Sequence, residues 1–358
     1  MLVLTVLAAV ALGGAGVCAG RTVYVFGDSL SDTGRMKRVT LGLIPSDLSW
    51  EGRFSNGPVW CEYTALLQNA TLQDHAVGAA TAASTFSMSL GRFPVAVPSA
   101  RDQLDEVRAQ TPLDPMPERG NDVAVLMVGS NNFLDAAAGL KTGEEAGTAA
   151  VDRFAEQLAD AVAALARELR AMGFASIVVA GMPPLHLVPA VRAWNASAVA
   201  QRVAEAYNPL LARRLGAWAA AARVPAFAVL DLYALMQAAM DPSVGGALGV
   251  ADTADPCVTN TFVDAAAEGT FLELAYKLLT DPKGGSVCAR PETRFFWDIF
   301  HPTDRLHRLF GYYASELIDA AAAAAGAGVP LPRPAPDTLL KLIDRYGLAG
   351  PVARPARI

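Results

Sequence analysis

The sequence has no lysine- or arginine-rich run, and its histidines and cysteines form no cluster with the spacing of metal ligands. The formal net charge is -6 at pH 7. Because binding to a phosphate backbone requires a basic surface, nucleic acid is not a predicted partner. Without a ligand cluster, neither a metal nor another cofactor is predicted. Internal repeats and coiled-coil heptads are also missing, so we expect a globular domain rather than a repeat protein.

Charge is also absent from the first 20 residues, which are apolar and end in small residues. This pattern predicts a cleaved signal peptide over residues 1–19 and a secreted protein without a stable membrane span. The alternative is an uncleaved anchor, for which the apolar stretch is short. The N-glycosylation sequons at Asn69 and Asn195 fit the same secretory route.

Cysteine is scarce, and Cys18 would leave with the signal peptide. The three mature cysteines fit an oxidising compartment if two of them pair. Cys257 and Cys288 bracket a stretch that precedes a histidine-bearing loop, and we predict a disulfide there that braces this loop. Cys61 is then free, and its apolar surroundings predict a buried small side chain.

What the sequence does contain is a short β-rich run, Thr22–Val25, that leads into Gly27-Asp28-Ser29-Leu30. A strand that stops at a tight polar turn brings the next residues to the crevice at the carboxyl edge of an α/β sheet. Ser29 would expose its hydroxyl and its backbone N–H there. Because a serine hydroxyl is a weak nucleophile without a base, this interpretation requires a histidine, an acid and oxyanion donors elsewhere.

The required groups occur further along the chain. Asp298 lies three residues before His301, so one loop can present both side chains. The acid would then hold one ring nitrogen and leave the other facing Ser29. Two apolar runs end at Gly78 and Gly129, which predicts further strand ends opening onto the same crevice.

Apolar runs alternate with long helical segments through the rest of the chain. The runs predict strands over Thr22–Val25, Thr71–Val77, Asp122–Val128, Ala175–Ala180 and Ala226–Leu230. Helices between successive strands imply right-handed crossovers, and therefore an α/β fold whose five-stranded parallel sheet has helices on both faces. We expect this domain to span residues 20–325, followed by a C-terminal extension over residues 326–358.

In this order, the four blocks resemble those of the GDSL esterase/lipase family of the SGNH hydrolase superfamily, over nearly the whole mature chain. The resemblance implies a three-layer α/β/α, flavodoxin-like fold with a five-stranded parallel sheet. It implies that Ser29, His301 and Asp298 form a catalytic triad. It also implies an oxyanion hole made by the backbone N–H groups of Ser29 and Gly78 and by the side chain of Asn131.

Two positions depart from the family pattern. Asp74 stands where asparagine is common, and Asn132 stands where aspartate is frequent. Neither change removes a triad group or an expected donor, so both concern residues that support the site. Asp231, after the last predicted strand, is a rival acid; because no histidine lies near it in sequence, we expect it to cap a helix.

These blocks predict a secreted serine esterase that hydrolyses carboxylic esters through an acyl-enzyme on Ser29. No long amphipathic lid segment is recognisable, which favours short-chain or acetyl esters, including those of carbohydrates. The resemblance leaves open a lipid acyl hydrolase, phospholipase or acyltransferase. A second alternative is a non-catalytic secreted binding protein on the same fold. The predicted partner is a small-molecule, glycan or lipid ester substrate.

Overall fold

A computed structural model describes residues 20–90, 93–110, 119–142, 148–259, 285–324 and 331–350. The predicted signal peptide over residues 1–19 lies outside the described residues, as do parts of the predicted C-terminal extension.

The centre of the molecule is a parallel β-sheet. The strands within the described ranges are β1 (Thr22–Gly27), β2 (Thr71–Asp74), β3 (Phe86–Leu90), β4 (Phe93–Val97), β5 (Arg119–Met127), β6 (Phe174–Ala180), β7 (Ala226–Leu230), β8 (Asp252–Pro256), β9 (Val258–Thr259), β10 (Ser286–Val287) and β11 (Arg294–Phe296). Five of them form the sheet in the order β2-β1-β5-β6-β7, with every neighbouring pair parallel. The predicted α/β fold with a five-stranded parallel sheet is therefore confirmed.

Helices flank this sheet in two groups. In chain order they are α1 (Arg35–Val39), α2 (Trp60–Leu67), α3 (Ala100–Gln110), α4 (Ser130–Thr142), α5 (Thr148–Ala171), α6 (Pro189–Ala193), α7 (Ser197–Ala221), α8 (Leu232–Ala239), α9 (Pro242–Leu248), α10 (Asp304–Ala324) and α11 (Pro336–Tyr346). One group is α2 with α10, and the other contains α3, α5 and α7. Among the described helices, none combines the length and apolar character needed to cross a membrane.

The burial of the middle strand, β5, explains why most of its sequence is apolar. Residues 123–127 of this strand are buried, because helices cover both faces of a parallel sheet. The strand begins at Arg119, three residues before the predicted start at Asp122. The Arg119 N–H donates to Gly173 O at 2.9 Å, which extends the pairing with β6 across an irregular register.

The second strand is shorter than predicted. It ends at Asp74 rather than at Val77, because the Asp74 carboxylate accepts a hydrogen bond from the Ala76 N–H at 3.0 Å and turns the chain. The backbone still follows β1 beyond this point, since the Val77 N–H donates to Gly27 O at 3.1 Å. The turn therefore keeps the segment after β2 beside the end of β1.

The described part of the C-terminal extension packs on the domain. In α11 the side chains of Leu339, Leu342 and Ile343 are buried, and the helix contacts α8, α9 and α10. Upstream of it, the Tyr313 hydroxyl donates to Pro332 O at 2.8 Å. The extension thus adds apolar side chains to the same core.

The crossing of α2 and α10 depends on one glycine. A Cβ at Gly311 of α10 would lie 2.4 Å from Trp60 O and 2.7 Å from Tyr63 Cβ, both in α2. Such distances are far inside van der Waals contact, so even one methyl group would force the two helices apart. Gly216 in α7 provides a contrast, because a Cβ there would meet nothing within 4 Å.

We expect the Gly311→Ala variant to lose about 1–3 kcal/mol of unfolding free energy, because overpacking forces backbone shifts. The matched Gly216→Ala variant should instead gain roughly 0.5–1 kcal/mol, because alanine is the better helix former at an exposed helical position. Urea denaturation of both variants measures the difference. Equal effects at the two positions would contradict this view of the α2–α10 contact.

Candidate active site

The nucleophile turn follows directly from the end of β1. Gly27 lies so close to β5 that a Cβ on it would be 2.0 Å from Met127 O, so only glycine fits at this strand end. Beyond it, the Asp32 N–H donates to Asp28 O at 3.1 Å. This turn holds the half-buried Ser29 at the carboxyl edge of the sheet.

A glutamine from α3 fixes the same strand end. Gln103 is buried; its Oε1 accepts from the Gly27 N–H at 2.8 Å, and its Nε2 donates to Gly27 O at 2.9 Å. Sequence analysis missed this residue. The pattern that could have indicated it is a polar residue on the apolar face of α3. Gln103 lies on this buried face with Ala100, Leu104 and Val107.

The structure brings the three predicted triad side chains together above this turn. His301 Nε2 lies 2.7 Å from Ser29 Oγ. His301 Nδ1 lies 2.8 Å from each carboxylate oxygen of Asp298. Because a carboxylate only accepts, Nδ1 carries the proton and Nε2 is free to accept from the serine hydroxyl. This geometry suits proton transfer from serine to histidine.

The loop that carries the acid and the base is fixed by its own backbone. Asp298 Oδ1 also accepts from the N–H groups of Phe300 and His301, at 2.7 and 2.8 Å. The Trp297 N–H donates to His301 O at 2.7 Å and closes the loop. Phe54 packs against the His301 ring with the ring centroids 4.9 Å apart. These contacts set the orientation of the imidazole.

The Gly78 turn is tied to a buried carboxylate. The Gly78 N–H donates to Asp32 Oδ2 at 2.8 Å, whereas the sequence predicted that this N–H faces the substrate. Since the single N–H is already used, Gly78 is not available as an oxyanion donor in this structure. The glycine has a packing role instead, because a Cβ on it would lie 2.5 Å from Phe54 Cζ.

Ala79, the next residue, has a backbone conformation expected of glycine. Its φ is 65°, in the left-handed region that costs an L-residue about 1–2 kcal/mol. The Ala79 N–H makes no hydrogen bond within the described part of the chain. Backbone strain of this kind is retained where the surrounding structure imposes it, and it clusters at functional sites.

Asn131 and Asn132 stand at the start of α4, on the other side of the crevice. Asn131 is buried, and its Nδ2 donates to Ala80 O at 3.0 Å. Its second amide hydrogen has no acceptor within the described part of the chain. Asn132 Oδ1 accepts from the Ala82 N–H at 2.9 Å. An aspartate oxygen would accept in the same way, so the departure at position 132 preserves this contact.

The departure at position 74 changes the hydrogen bonding. Asp74 Oδ2 accepts from both the N–H and the hydroxyl of Thr33, at 2.8 and 2.7 Å, and its other oxygen accepts from Ala76. An asparagine has one acceptor oxygen and cannot reproduce this set. Burial raises the pKa of Asp74 to about 7, and the nearby charge of Asp32 adds to the effect. Burial likewise raises the pKa of Asp28 to about 7.

The predicted disulfide lies beside the catalytic loop. Cys257 and Cys288 are bonded, and the neighbouring Val258 N–H donates to Trp297 O at 2.7 Å. The bridge therefore connects to the segment that leads into Asp298. Cys61 is buried and free, and its burial raises the pKa of the thiol.

Other predicted residues lie outside the triad. The side chains of Asn69 and Asn195 are exposed, as an acceptor asparagine requires. Asp231 caps α8, since its carboxylate accepts from the Ala234 N–H at 2.9 Å. The expectation that this rival acid is a helix cap is therefore confirmed.

A second buried histidine lies beneath the triad. His307 Nδ1 accepts from the Trp60 N–H, the first of α2, at 3.3 Å, so its Nε2 carries the proton. Nε2 has no hydrogen-bond partner within the described residues. Burial lowers the pKa of His307 to about 3, and the charge of His301 contributes to the same shift.

Serine, imidazole and carboxylate in hydrogen-bonded series, at the carboxyl edge of a parallel α/β sheet, characterise the α/β serine hydrolases as a class. The comparison with protein families narrows this class. The model of the GDSL-like lipase/acylhydrolase family matches residues 23–313. The chain belongs to this family, and it is a carboxylic ester hydrolase.

Two relatives match most of this chain. A phosphatidylcholine-sterol acyltransferase of Aeromonas hydrophila is 26% identical over 83% of this chain and 90% of the relative. The thermolabile hemolysin of Vibrio parahaemolyticus is 24% identical over 84% of this chain and 63% of the relative. Among solved structures, a GDSL-like lipase from Parabacteroides merdae is 12% identical, with 83% of this chain and 95% of that chain covered and a TM-score of 0.39.

The low pKa of His307 predicts a pH-dependent loss of stability. The unfolded chain binds a proton at this histidine below about pH 6.5, whereas the folded chain does so only near pH 3. The free energy of unfolding therefore decreases as pH falls from about 6.5 towards 3, by up to about 1.4 kcal/mol per pH unit. The His307→Leu variant removes this contribution.

Urea denaturation of the wild type and His307→Leu at pH 7.5, 5.5 and 4.5 measures the effect. We expect the difference in unfolding free energy to shift in favour of the variant as pH falls. Parallel pH profiles for the two proteins would show that His307 does not titrate as described.

Proposed function

We propose that Ser29 is the nucleophile of this ester hydrolase. The observation that carries the proposal is the 2.7 Å distance from Ser29 Oγ to His301 Nε2, with Nδ1 of the same ring held by Asp298 at 2.8 Å. Neutral His301 takes the hydroxyl proton as Ser29 Oγ bonds to the ester carbonyl carbon. Asp298 keeps the ring in the required tautomer and stabilises the imidazolium that forms.

The oxyanion donors in this proposal are the backbone N–H groups of Ser29 and Ala79 and the free Nδ2 hydrogen of Asn131. Ala79 replaces Gly78, whose N–H is held by Asp32. Within the described residues, neither the Ser29 nor the Ala79 N–H makes another hydrogen bond. Donors already oriented in this way stabilise the developing charge without reorganisation.

The reaction then proceeds in two halves. The tetrahedral intermediate collapses as His301 returns the proton to the leaving alcohol, which leaves an acyl group on Ser29. Water next attacks the acyl carbon while His301 accepts its proton, and Ser29 departs with that proton as the carboxylic acid is released. An alcohol in place of water would give acyl transfer by the same steps.

Two substrate classes have support from specific observations. Short acyl groups are favoured by the sequence, in which no long amphipathic lid segment is recognisable. Lipid esters are favoured by the names of two relatives, an acyltransferase and a hemolysin, and by exposed leucines close to the site.

Secretion is part of the proposal. The disulfide between Cys257 and Cys288 suits an oxidising compartment, and the exposure of Asn69 and Asn195 suits glycosylation in a eukaryotic secretory route. A non-catalytic binding protein is disfavoured, because a binder has no need of a buried acid and base aligned on a serine.

We expect the Ser29→Ala variant to lose at least about a thousandfold in turnover, because the remaining groups cannot form an acyl-enzyme. The assay uses p-nitrophenyl acetate, butyrate and palmitate beside acetylated xylan and phosphatidylcholine. Preference for acetate or acetylated xylan would support the short-acyl class, and preference for palmitate or phosphatidylcholine the lipid class. Undiminished hydrolysis by Ser29→Ala would refute the proposal.

The oxyanion assignment predicts that Asn131→Ala lowers kcat by about 10²–10³-fold with little change in KM, because its amide acts in the transition state. A crystal structure of the enzyme with Ser29 phosphonylated tests the other donors. The phosphonyl oxygen should lie about 2.7–3.1 Å from the N atoms of Ser29 and Ala79, while Gly78 stays bonded to Asp32. A contact to Gly78 N instead would restore the donor that the sequence suggested.

A further inference from the structure

A loop beside the active site exposes three leucines. We call residues 40–49 the leucine loop. Within it, Leu41 is 90% exposed, Leu43 is 52% exposed and Leu48 is 37% exposed. Elsewhere in the described chain, large exposed apolar side chains occur singly rather than together in one loop. Clustered exposed apolar side chains on a soluble fold mark an interaction site, whereas scattered ones need no explanation.

The backbone of the leucine loop is nevertheless held firmly from below. The Thr40 hydroxyl is buried and donates to Met36 O at 2.7 Å, and the Ile44 N–H donates to Thr40 Oγ1 at 3.0 Å. Lys37 Nζ donates to Pro45 O at 2.7 Å. The leucines thus project from an ordered base.

The most exposed leucine also carries backbone strain. Leu41 has a φ of 53°, a conformation that favours glycine, and the next residue is in fact a glycine with a φ of 89°. A bulky side chain that points into solvent at such a position adds no packing energy to offset the backbone strain. Its presence is explained if the side chain finds an apolar environment outside the protein.

The leucine loop adjoins the catalytic groups. Ile44 is buried in one cluster with Phe54, and the Phe54 ring lies against that of His301. At the far end of the loop, Ser49 Oγ accepts from Trp297 Nε1 at 3.1 Å, one residue before Asp298. A surface that holds this loop would therefore have the active site beside it.

The charge around the leucine loop fits a phospholipid surface. Three of the four basic side chains over residues 34–54 are paired with carboxylates, and the fourth, Arg38 in the last turn of α1, is exposed and makes no ion pair within the described residues. Trp50 is half-buried here, with the Arg53 guanidinium 4.7 Å from its ring centre. Basic side chains attract lipid phosphates, and tryptophan favours the boundary between apolar chains and headgroups.

We infer that the leucine loop inserts into the surface of a phospholipid bilayer or micelle and holds the active site against it. This inference rests on the proposed ester hydrolysis for its purpose and specifies where the lipid class of substrate is met. A second copy of the chain is the less suitable occupant. A stable dimer buries about 800 Å² on each partner, far more than three partly exposed leucines provide.

The test measures binding to vesicles of phosphatidylcholine and phosphatidylglycerol by flotation, on the Ser29→Ala background so that lipid is not consumed. We expect the Leu41→Ser, Leu43→Ser double variant to bind about 100-fold more weakly, because each leucine contributes about tenfold. Leu66→Ser is the matched control, since Leu66 is 51% exposed. It lies near the end of α2, by Gln68, whose side chain bonds Arg21 at the start of β1, away from the catalytic edge.

Each outcome has a distinct meaning. Thermal unfolding should be the same for the double variant and the control, since the exposed leucines support no core. Failure of the parent protein to bind vesicles, or equal loss in the control, would overturn the inference. Sedimentation velocity that shows a dimer lost only in the double variant would assign the loop to a second copy instead.

The proposed hydrolysis is judged separately by p-nitrophenyl butyrate turnover of the protein with Ser29 intact. Turnover without vesicle binding leaves the ester hydrolase and removes the lipid-docking role. Vesicle binding without turnover supports the docking loop and removes the proposed chemistry.

Discussion

The buried carboxylate of Asp32 holds together the elements on which the site depends. Its two oxygens accept four backbone hydrogen bonds, from Gly34, Arg35 and Met36 at the start of α1 and from Gly78 after β2. A helix start has unpaired N–H groups and a favourable field for negative charge. One side chain therefore joins the nucleophile turn, the base of the leucine loop and the turn that carries Ala79. Burial raises the pKa of Asp32, and the four donors act against that shift by stabilising the ionised form.

This constraint bears on the proposed oxyanion donors. Asp32 accepts the Gly78 N–H, and the next residue, Ala79, has a left-handed conformation. In the proposed mechanism, it is therefore the N–H of Ala79 that faces the substrate. Asp74 lies close enough for the charge of Asp32 to raise its pKa. Its hydrogen bonds to Thr33 hold the same turn from the side of β2. The turn that contains Ala79 is thus held by the carboxylates of Asp74 and Asp32, which accept from the N–H groups of Ala76 and Gly78.

Local patterns were enough to predict the sheet and the grouping of Ser29, His301 and Asp298. The apolar runs of β1, β5, β6 and β7 are uninterrupted. The spacing of three residues between Asp298 and His301 lets one loop present both side chains. The features that were not predicted depend on contacts between distant segments. The hairpin of β3 and β4 contains Pro94 and is followed by Pro98, and these two strands were not predicted. Gln103 acts on Gly27 across 76 positions. The Gly78 N–H, which was expected to face the substrate, donates to Asp32 instead, and no local pattern indicates this contact across 46 positions.

Phe54 explains why His301, the Gly78 turn and the leucine loop form one unit. Its ring contacts the imidazole of His301, fills the space that a side chain on Gly78 would need, and packs in one cluster with Ile44. Closely packed interiors transmit small displacements because they contain little free volume. A displacement of the leucine loop would therefore reach the His301 ring through Ile44 and Phe54. Two side chains separate the leucine loop from His301. In the proposed mechanism, contact of the loop with a surface would therefore act on the alignment of the triad.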